Sequence, residues 1–302
     1  MKKALTPRRP GTMPARLTLP EGEEQACGGR RPLTGLAPEC RRTGIAGRPS
    51  AARIGHAAQV NEKAISRPFY ATQPGPCPYL PGRVEQRIVT PFSPTDGPAL
   101  FDHLNRAGFR RSHGFLYRPA CPGCHACVPV RVRVDRFVAN RRFRKVRNRN
   151  SDLAAVCLPA VSSDEQYVLF KRYLEARHDD GGMARMTRDE YAELVERATA
   201  ETFLVEFRQG DALVAVAITD RLISGLSGVY TFFDPALASR SLGTYTILWH
   251  IAETARLKLP FFYLGYWIEG TRKMRYKTQF HPIEQLTPTG WRELPVKTAI
   301  DG

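Results

Sequence analysis

The sequence contains no apolar run that approaches the roughly 20 residues a membrane-spanning helix needs. Its basic N-terminus also lacks the apolar segment of a secretory signal. There is no P-loop, no dinucleotide-binding glycine fingerprint after a strand, no His-Glu-x-x-His and no Gly-x-Ser-x-Gly. These absences exclude a transmembrane protein and argue against nucleotide hydrolysis, nicotinamide redox chemistry and serine hydrolysis.

The number of cysteines is small and odd. Seven cysteines, three of them in one tight cluster, argue against a secreted disulfide scaffold. We therefore expect a protein of the reducing cytoplasm that has no membrane partner.

Positive charge is abundant, and it is unevenly distributed. The net charge is +16, and two segments carry almost all of it. Residues 1–65 hold 12 Lys/Arg against 5 Asp/Glu, and residues 131–149 hold 9 against a single acid, Asp135. A local basic cluster on an otherwise balanced chain indicates a polyanionic partner, most often a nucleic acid.

The composition divides the chain into four parts. Residues 1–65 are rich in Gly, Pro, Ala and Arg, which predicts a disordered basic extension. An N-terminal region with the cysteine cluster follows over 66–150, then a C-terminal domain over 151–295 and a tail over 296–302. Strands, a long helix over 241–257 and a final helix over 269–276 predict an α/β (α+β) fold, a mixed sheet flanked by helices.

The cysteine cluster has the pattern Cys121-Pro-Gly-Cys124-His-Ala-Cys127. Thiolates at this spacing can converge on zinc or an iron–sulfur cluster. Cys77, in a similar proline-rich loop, is the natural fourth ligand, and His125 is the second choice. The alternative is that reduced cysteines pack in tight turns, because a second Cys-x-x-Cys is missing.

The basic stretch over 131–149 predicts a phosphate-binding surface. Val128–Val134 alternates apolar residues with arginine, which indicates a strand with one solvent-exposed face. A basic helix capped by Asn140 follows it. The alternative is an ordinary solvated face, but the dense positive charge favours a nucleic-acid backbone. The candidate contacts are Arg142, Arg144, Lys145 and Arg147.

Two further segments have the features of binding sites. Arg240, Ser241 and Gly243 open the helix over 241–257, where free amides and an arginine favour an anion. Gly265 lies inside a predicted strand and could admit the backbone of a substrate. Basic side chains follow it among aromatic ones, a pattern that suits a base or ribose near phosphates. The alternative is that these aromatic rings belong to the core.

These motifs together resemble one family. The first set comprises Phe69-Tyr70, Cys77-x-Tyr79-Leu80, Tyr117-Arg118-Pro119-x-Cys121-x-x-Cys124-x-x-Cys127 and Arg147-Asn148-x-Asn150-x-Asp152-Leu153. The second comprises Thr231-Phe232-Phe233-Asp234-Pro235, Ser241-Leu242-Gly243-Thr244-Tyr245, Tyr263-Leu264-Gly265-Tyr266-Trp267-Ile268 and Lys273-Met274-Arg275-Tyr276-Lys277. Over residues 66–295 the chain resembles the arginyl-tRNA–protein transferase superfamily, most closely its bacterial branch, the aspartate/glutamate leucyltransferases.

The resemblance implies a GNAT-like C-terminal domain. It also implies transfer of leucine from Leu-tRNA to the N-terminal amine of proteins that begin with Asp or Glu, which marks them for N-degron degradation. No cofactor is required for transfer. This reaction needs a carboxylate or tyrosine to relay a proton, and the candidates are Asp234, Tyr266 and Glu269. It also needs a cationic clamp for the acidic side chain of the acceptor, for which the candidates are Lys273, Arg275 and Lys277.

Two alternatives to this function stay open. The first is a GNAT acetyltransferase that uses acetyl-CoA, whose phosphate loop has the form Arg/Gln-x-x-Gly-x-Gly/Ala. Arg240 and Gly243 match that loop, but Tyr245 occupies its last small position, which argues against acetyl-CoA. The second alternative is a non-catalytic RNA-binding protein with a zinc knuckle.

Overall fold

The computed structural model describes residues 67–177, 186–197 and 201–295. The predicted basic extension over 1–65 and the tail over 296–302 lie outside the described residues. In the described part of the chain, no helix is both long and apolar enough to cross a membrane.

The described residues alternate between short helices and strands. The α-helices are α1 (Gly97–Arg106), α2 (Arg141–Arg149), α3 (Asp164–Arg177), α4 (Arg188–Glu196) and α5 (Leu242–Arg256). The strands of the first half are β1 (Tyr70–Ala71), β2 (Gly75–Pro76), β3 (Val84–Glu85), β4 (Arg87–Pro91), β5 (Arg110–Ser112), β6 (Phe115–Pro119) and β7 (Val128–Arg133). Those of the second half are β8 (Ala154–Pro159), β9 (Glu201–Gln209), β10 (Ala212–Arg221), β11 (Gly225–Phe233), β12 (Phe261–Trp267), β13 (Ile283–Thr287) and β14 (Gly290–Glu293).

An eight-stranded sheet forms the centre of the fold, in the order β14-β13-β7-β12-β11-β10-β9-β8. Its neighbouring strands run antiparallel except for β11 and β12, which are parallel. A four-stranded sheet, β1-β4-β6-β5, precedes it in the chain. Helix α5 packs on β11 and β12, and α3 packs on β10 and β11. The predicted α+β class, a mixed sheet flanked by helices, is confirmed.

Helix α2 forms for local reasons, as its sequence predicts. The Asn140 side chain accepts a hydrogen bond from the Phe143 amide at 2.9 Å and so caps the first turn. Phe143 and Val146 lie three residues apart and are buried, whereas most of the basic side chains are exposed. The helix therefore presents a basic face to solvent and an apolar face to the core, and it packs against α5.

The prediction that Val128–Val134 has one solvent-exposed face is wrong. Strand β7 lies between β13 and β12, and Arg131 is buried. Its Nε donates to Glu284 at 2.7 Å, and its guanidinium lies 3.4 Å from the centre of the Phe261 ring. The carboxylate of Glu284, 153 residues away, thus explains the burial of an arginine that the alternating sequence pattern predicts to face solvent.

The predicted helix over 269–276 is also wrong. Gly270 adopts a φ of +77° in a turn, which interrupts any helix there. A short 3-10 helix, Arg275–Gln279, follows instead. This change decides which basic side chains of the segment face solvent.

Candidate active site at the bulge of strand β12

The parallel strands β11 and β12 separate part-way along their length. Their pairing runs from Gly225–Phe261 to Ser227–Tyr263 and stops there. On its other side β12 pairs with β7, with a register shift between Tyr263 and Gly265. Gly265 has a φ of +79°, a conformation that favours glycine, so this residue allows the bulge to form.

Lys277 reaches this bulge from the 3-10 helix Arg275–Gln279. Its Nζ donates to the carbonyl oxygens of Leu264 at 2.8 Å and Tyr266 at 2.6 Å. Both carbonyls lie beyond the last β11–β12 pair. A Cβ added at Gly265 would lie 3.8 Å from Nζ, an ordinary contact distance, so the glycine itself places no side chain against the amine. We call Gly265, Lys277, Arg110, Tyr263 and Tyr266 the bulge site.

Lys277 is only 8% exposed, and its surroundings disfavour the charged form of its amine. Burial lowers the pKa of Lys277 to about 7, and the positive charge of Arg110 acts in the same direction. A large fraction of the side chain is therefore neutral near pH 7, which distinguishes it from an ordinary surface lysine.

Arg110 in β5 is the second buried cation of the bulge site. Its Nη1 donates to the main-chain oxygens of Asn105 and Phe109 at 2.9 and 2.7 Å. Its Nε and Nη2 are buried, and no group among the described residues accepts from them. The guanidinium lies 5.4 Å from the ring centre of Tyr263 and 5.9 Å from that of Tyr266. Burial lowers the pKa of Arg110, so the site combines cationic groups with low solvation.

Tyr266, a predicted proton carrier, has a structural hydrogen-bonding role in this site. Its hydroxyl lies 2.7 Å from the oxygen of Gly108 and 3.1 Å from that of Tyr117. Carbonyl oxygens only accept, so the phenol proton is donated to them. Burial raises the pKa of Tyr266, which opposes loss of that proton. Its catalytic role stays a prediction that this geometry does not favour.

The start of α5 holds the predicted anion site. Arg240 donates from Nε to Asn150 Oδ1 at 3.0 Å and pairs with the carboxylate of Asp152. Ser241 precedes the helix with a φ of +55° and no side-chain cap. A Cβ on Gly243 would lie 3.1 Å from the Phe233 ring, so this glycine serves close packing. Arg240 therefore ties α5 to the end of α2, and the anion site stays a prediction.

Asp234 and Glu269, the other predicted proton carriers, occupy different places. Asp234 caps the 3-10 helix Pro235–Arg240 by accepting from the Ala236 amide at 3.0 Å. It also lines an open pocket of about 470 Å³ with Arg172, whose Nη1 lies 3.5 Å from Asp234 Oδ2. Glu269 is exposed in the turn after β12. Their roles stay predictions.

The predicted clamp residues divide between solvent and core. Lys273 and Arg275 are exposed, whereas Lys277 is buried at the bulge. Of the predicted substrate-binding residues, the structure thus brings Gly265 and Lys277 close together. Lys273 and Arg275, a few positions before Lys277 in the sequence, lie on the surface.

The predicted tRNA-binding residues share helix α2, with Arg142, Arg144 and Lys145 exposed and Arg147 half-buried. Arg144 Nη1 donates to the Ala139 oxygen at 2.6 Å, and Arg142 Nη1 donates to Gln279 Oε1 at 2.7 Å. Gln279 ends the 3-10 helix that carries Lys277, so the basic helix is bonded directly to the support of the bulge site.

Comparisons with known proteins agree on one family. The N-terminal model of arginine-tRNA-protein transferase matches residues 75–145, and the C-terminal model matches residues 165–287. The aspartate/glutamate leucyltransferase of Paramagnetospirillum magneticum is 51% identical over 231 residues, which cover 76% of this chain and 95% of that protein. The leucyltransferase of the same name from Parvibaculum lavamentivorans is 50% identical over 228 residues, 75% of this chain and 95% of that protein. The chain belongs to the arginine-tRNA-protein transferase family.

Membership in the arginine-tRNA-protein transferase family confirms the resemblance carried by the motifs, and it makes the chain an acyltransferase. The two matched ranges include the cysteine cluster, the start of α2 and every residue of the bulge site. Among solved structures, the C-terminal DUF2156 domain of a putative lysylphosphatidylglycerol synthetase from Agrobacterium fabrum is similar over 61% of this chain and 62% of that chain. Its sequence identity is 14% and its TM-score is 0.39.

The contacts of the cysteines bear on the predicted metal site. Cys121 Sγ accepts from the Gln86 amide at 3.4 Å and lies 3.5 Å from the Gln86 oxygen. Burial raises the pKa of Cys127 to about 11, and the thiols of Cys121, Cys77 and Cys124 add to that effect. The four thiols are thus neighbours. Within the described ranges, however, no three Cys, His, Asp or Glu side chains form a group that could hold a metal ion. Zinc or iron–sulfur binding stays a prediction, and no step of the reaction is assigned to it.

Sequence reasoning missed Arg110 as a member of the site. Arg110 follows Phe109 and precedes Arg111, and neither neighbour marks it as buried. Arg110 lies near the rings of Tyr263 and Tyr266, which are more than 150 residues away from it in the sequence. The pair Arg110-Arg111 inside an apolar strand region is the one signal that could have drawn attention to it.

Proposed function

We propose that this transferase takes leucine from leucyl-tRNA and joins it to the N-terminal amine of proteins that begin with Asp or Glu. The observation that carries the proposal is about 50% identity over three quarters of the chain to proteins named for this activity. We further propose that it acts in the cytoplasm and that the added leucine marks the acceptor for degradation.

The chemistry requires positioning more than activation. The aminoacyl ester is already activated, so neither a cofactor nor a covalent enzyme intermediate is needed. The α-amine of an acceptor has a pKa of about 7.7–8.0, so a useful neutral fraction exists near neutral pH. Holding amine and ester together contributes roughly 7–11 kcal/mol to lowering the barrier.

Helix α2 is the proposed surface for the tRNA backbone. Its exposed Arg142, Arg144 and Lys145 offer positive charge with no acid in the helix. Phosphate contacts of this kind provide affinity that does not depend on base sequence. Because Arg142 is bonded to Gln279, a tRNA bound along α2 would lie beside the segment that carries Lys277.

Lys273 and Arg275 are the proposed clamp for the acidic side chain of the acceptor. Both are exposed in the turn and 3-10 helix after β12, so a carboxylate can reach them from solvent. A hydrogen bond to a charged group contributes about 1.5–3 kcal/mol, which corresponds to a roughly ten- to hundredfold preference for Asp or Glu.

Transfer of labelled amino acids tests this function. Purified enzyme is mixed with tRNA charged with labelled leucine or arginine and with peptides that begin with Asp, Glu or Ala; labelled acetyl-CoA forms a parallel arm. We expect leucine on the Asp and Glu peptides and little on the Ala peptide. Arginine transfer in place of leucine, equal use of the Ala peptide, or acetyl transfer would each contradict the proposal.

A further inference from the structure

We propose that Lys277 Nζ is the group that carries the proton during transfer, from the attacking α-amine of the acceptor to the departing ribose oxygen. This assignment rests on the proposed function and adds a residue role to it. It replaces a clamp role for Lys277, because the buried amine touches backbone at the bulge and not the surface occupied by Lys273 and Arg275.

The hydrogen bonds of Lys277 fit a neutral amine. A neutral amine has two hydrogens and one lone pair, and an ammonium has three hydrogens and none. Two acceptors, the oxygens of Leu264 and Tyr266, lie at 2.8 and 2.6 Å. Both hydrogens of the neutral form are thus used, and the lone pair is left to point away from these two carbonyls. This is the arrangement required of a proton acceptor with a fixed direction.

The side of the amine next to Gly265 is the proposed approach to this lone pair. The glycine is only half-buried, and a Cβ there would lie 3.8 Å from Nζ. Parallel pairing of β11 with β12 has already ended at Ser227–Tyr263. An extended acceptor peptide can therefore come alongside β12 at the bulge and bring its N-terminal amine within hydrogen-bond distance of Nζ.

The charges around Lys277 favour release of the proton once it is taken up. Arg110 on β5 is the charged group that acts on the amine, and it disfavours a second cation. The Tyr266 phenol on β12 is bonded to main-chain oxygens of Gly108 and Tyr117. Arg131 on β7 is paired with Glu284 of β13. The pKa of Lys277, about 7, is close to neutral pH, where a proton carrier is most efficient.

The step balances without any further reactant. The neutral α-amine attacks the carbonyl carbon of the leucyl ester, and a nitrogen–carbon bond forms. As it forms, the nitrogen gives one proton to Lys277 Nζ. The carbon–oxygen bond to the ribose then breaks, and the Lys277 ammonium gives that proton to the ribose oxygen. Lys277 returns to its neutral form, and the product is an amide.

Substitution of Lys277 tests the proposal in single-turnover leucine transfer. Lys277→Arg keeps a donor but stays protonated at every accessible pH, and Lys277→Met removes the amine. The matched controls are Lys258→Arg and Lys258→Met at an exposed lysine after α5. We expect both Lys277 variants to lose transfer by roughly 10²–10⁴-fold while Leu-tRNA binding is kept, and the Lys258 variants to match wild type.

The pH profile separates a proton carrier from a purely structural lysine. With an acceptor whose α-amine pKa lies well below 7, so that the amine itself does not titrate in this range, we expect wild-type transfer to fall as pH drops below about 7 and this limb to be absent in Lys277→Arg. Transfer by Lys277→Arg within about threefold of wild type, or an unchanged limb, overturns the role of Lys277 while the proposed function stands. A wild-type enzyme that transfers no amino acid overturns both.

A measurement on wild-type enzyme decides the matter if the Lys277 variants do not fold. An electron-withdrawing substituent lowers the α-amine pKa of a saturating Asp-peptide to well below 7. The acidic limb is then expected at about pH 7, because Lys277 titrates there while the acceptor amine does not. A limb that moves down with the amine pKa of the acceptor overturns the proposal.

Discussion

Phe143 of helix α2 lies face to face with Phe280, with ring centroids 4.8 Å apart and 9° between the ring planes. Phe280 comes three residues after Lys277, and both rings are fully buried. Arg142 adds a hydrogen bond to Gln279 in the same segment. The helix proposed to bind tRNA and the segment that carries Lys277 therefore pack against one another, so a tRNA bound along the helix would be held beside the bulge site.

The salt dependence of tRNA binding checks the role of α2. Replacing Arg144 and Lys145 together by Gln should weaken binding of Leu-tRNA, because their positive charge no longer neutralises phosphates. The slope of log affinity against log salt concentration should fall by about one for each phosphate contact that is lost. Filter binding at several salt concentrations measures both quantities.

The matched control removes two exposed arginines that lie outside α2. Arg197 pairs with Glu193, and Arg221 pairs with Glu201. The double variant Arg197→Gln with Arg221→Gln removes two positive charges, as the α2 variant does. We expect this control to keep the wild-type slope. Equal slopes for the α2 variant and the control would show that overall charge, and not the basic helix, governs binding.

Metal analysis of purified protein checks the prediction for Cys77, Cys121, Cys124 and Cys127. The prediction requires about one zinc ion or iron–sulfur cluster per chain, and less metal and lower stability in Cys124→Ser. Full stability and transfer activity after chelation would leave the packing alternative, in which Cys121 bonds to the backbone of Gln86.

His250 in α5 makes the stability of the fold depend on pH. A carbonyl only accepts, so Nδ1 donates to the Thr246 oxygen at 2.6 Å and Nε2 accepts from Thr219 Oγ1 at 2.8 Å. Burial lowers the pKa of His250 to about 4, whereas an unfolded histidine has a pKa of about 6.5. As pH decreases from about 6.5 toward about 4, the unfolded state takes up a proton before the folded state does. The free energy of unfolding therefore decreases as pH is lowered through this window.

The expected loss is about 2 kcal/mol of unfolding free energy between about pH 8 and about pH 5. In His250→Gln that part of the pH dependence should disappear, although the variant is less stable at every pH. Urea unfolding at a series of pH values measures the difference between wild type and variant. His103→Gln, at an exposed histidine of α1, is the control. A constant difference between wild type and His250→Gln over the whole range would contradict the assignment.

Local signals in the sequence predicted the elements whose causes are local. The Asn140 cap of α2 forms as predicted, and the Thr-x-x-Glu pattern of Thr187–Glu190 forms a capping box at the start of α4. The hairpin of β9 and β10 turns at Gln209–Asp211, as its glycine indicates. Each of these depends on residues a few positions apart, so a single sequence carries enough information.

The parts that sequence reasoning could not predict depend on distant contacts. The burial of Arg131 requires Glu284. Two donors of Arg110 have no acceptor among the described residues, and its guanidinium lies near the Tyr263 ring of β12. The sequence predicts Lys277, with Lys273 and Arg275, as a candidate clamp for the acidic side chain of the acceptor. The 3-10 helix places Lys277 in the core instead, where the main-chain oxygens of Leu264 and Tyr266 accept hydrogen bonds from its amine.

Gly265→Ala should separate the two contributions of this glycine. An L-residue at a φ of +79° costs roughly 1–2 kcal/mol of stability. The added methyl would also lie 3.8 Å from Lys277 Nζ, on the open side of the amine. We therefore expect a modest loss of unfolding free energy together with a larger loss of single-turnover leucine transfer. Urea unfolding and transfer from Leu-tRNA to an Asp-peptide measure the two effects.

Gly210→Ala is the matched control for backbone strain. Gly210 has a φ of +56° in the β9–β10 turn, and a Cβ there meets no atom within 4 Å. Its substitution should cost a similar free energy of unfolding and leave transfer unchanged, because the turn is not part of the bulge site. If Gly265→Ala transfers leucine as fast as Gly210→Ala, the side of Lys277 above Gly265 is not the path of the acceptor amine. The acceptor would then have to reach the amine from another side, and the direction assigned to its lone pair would be wrong.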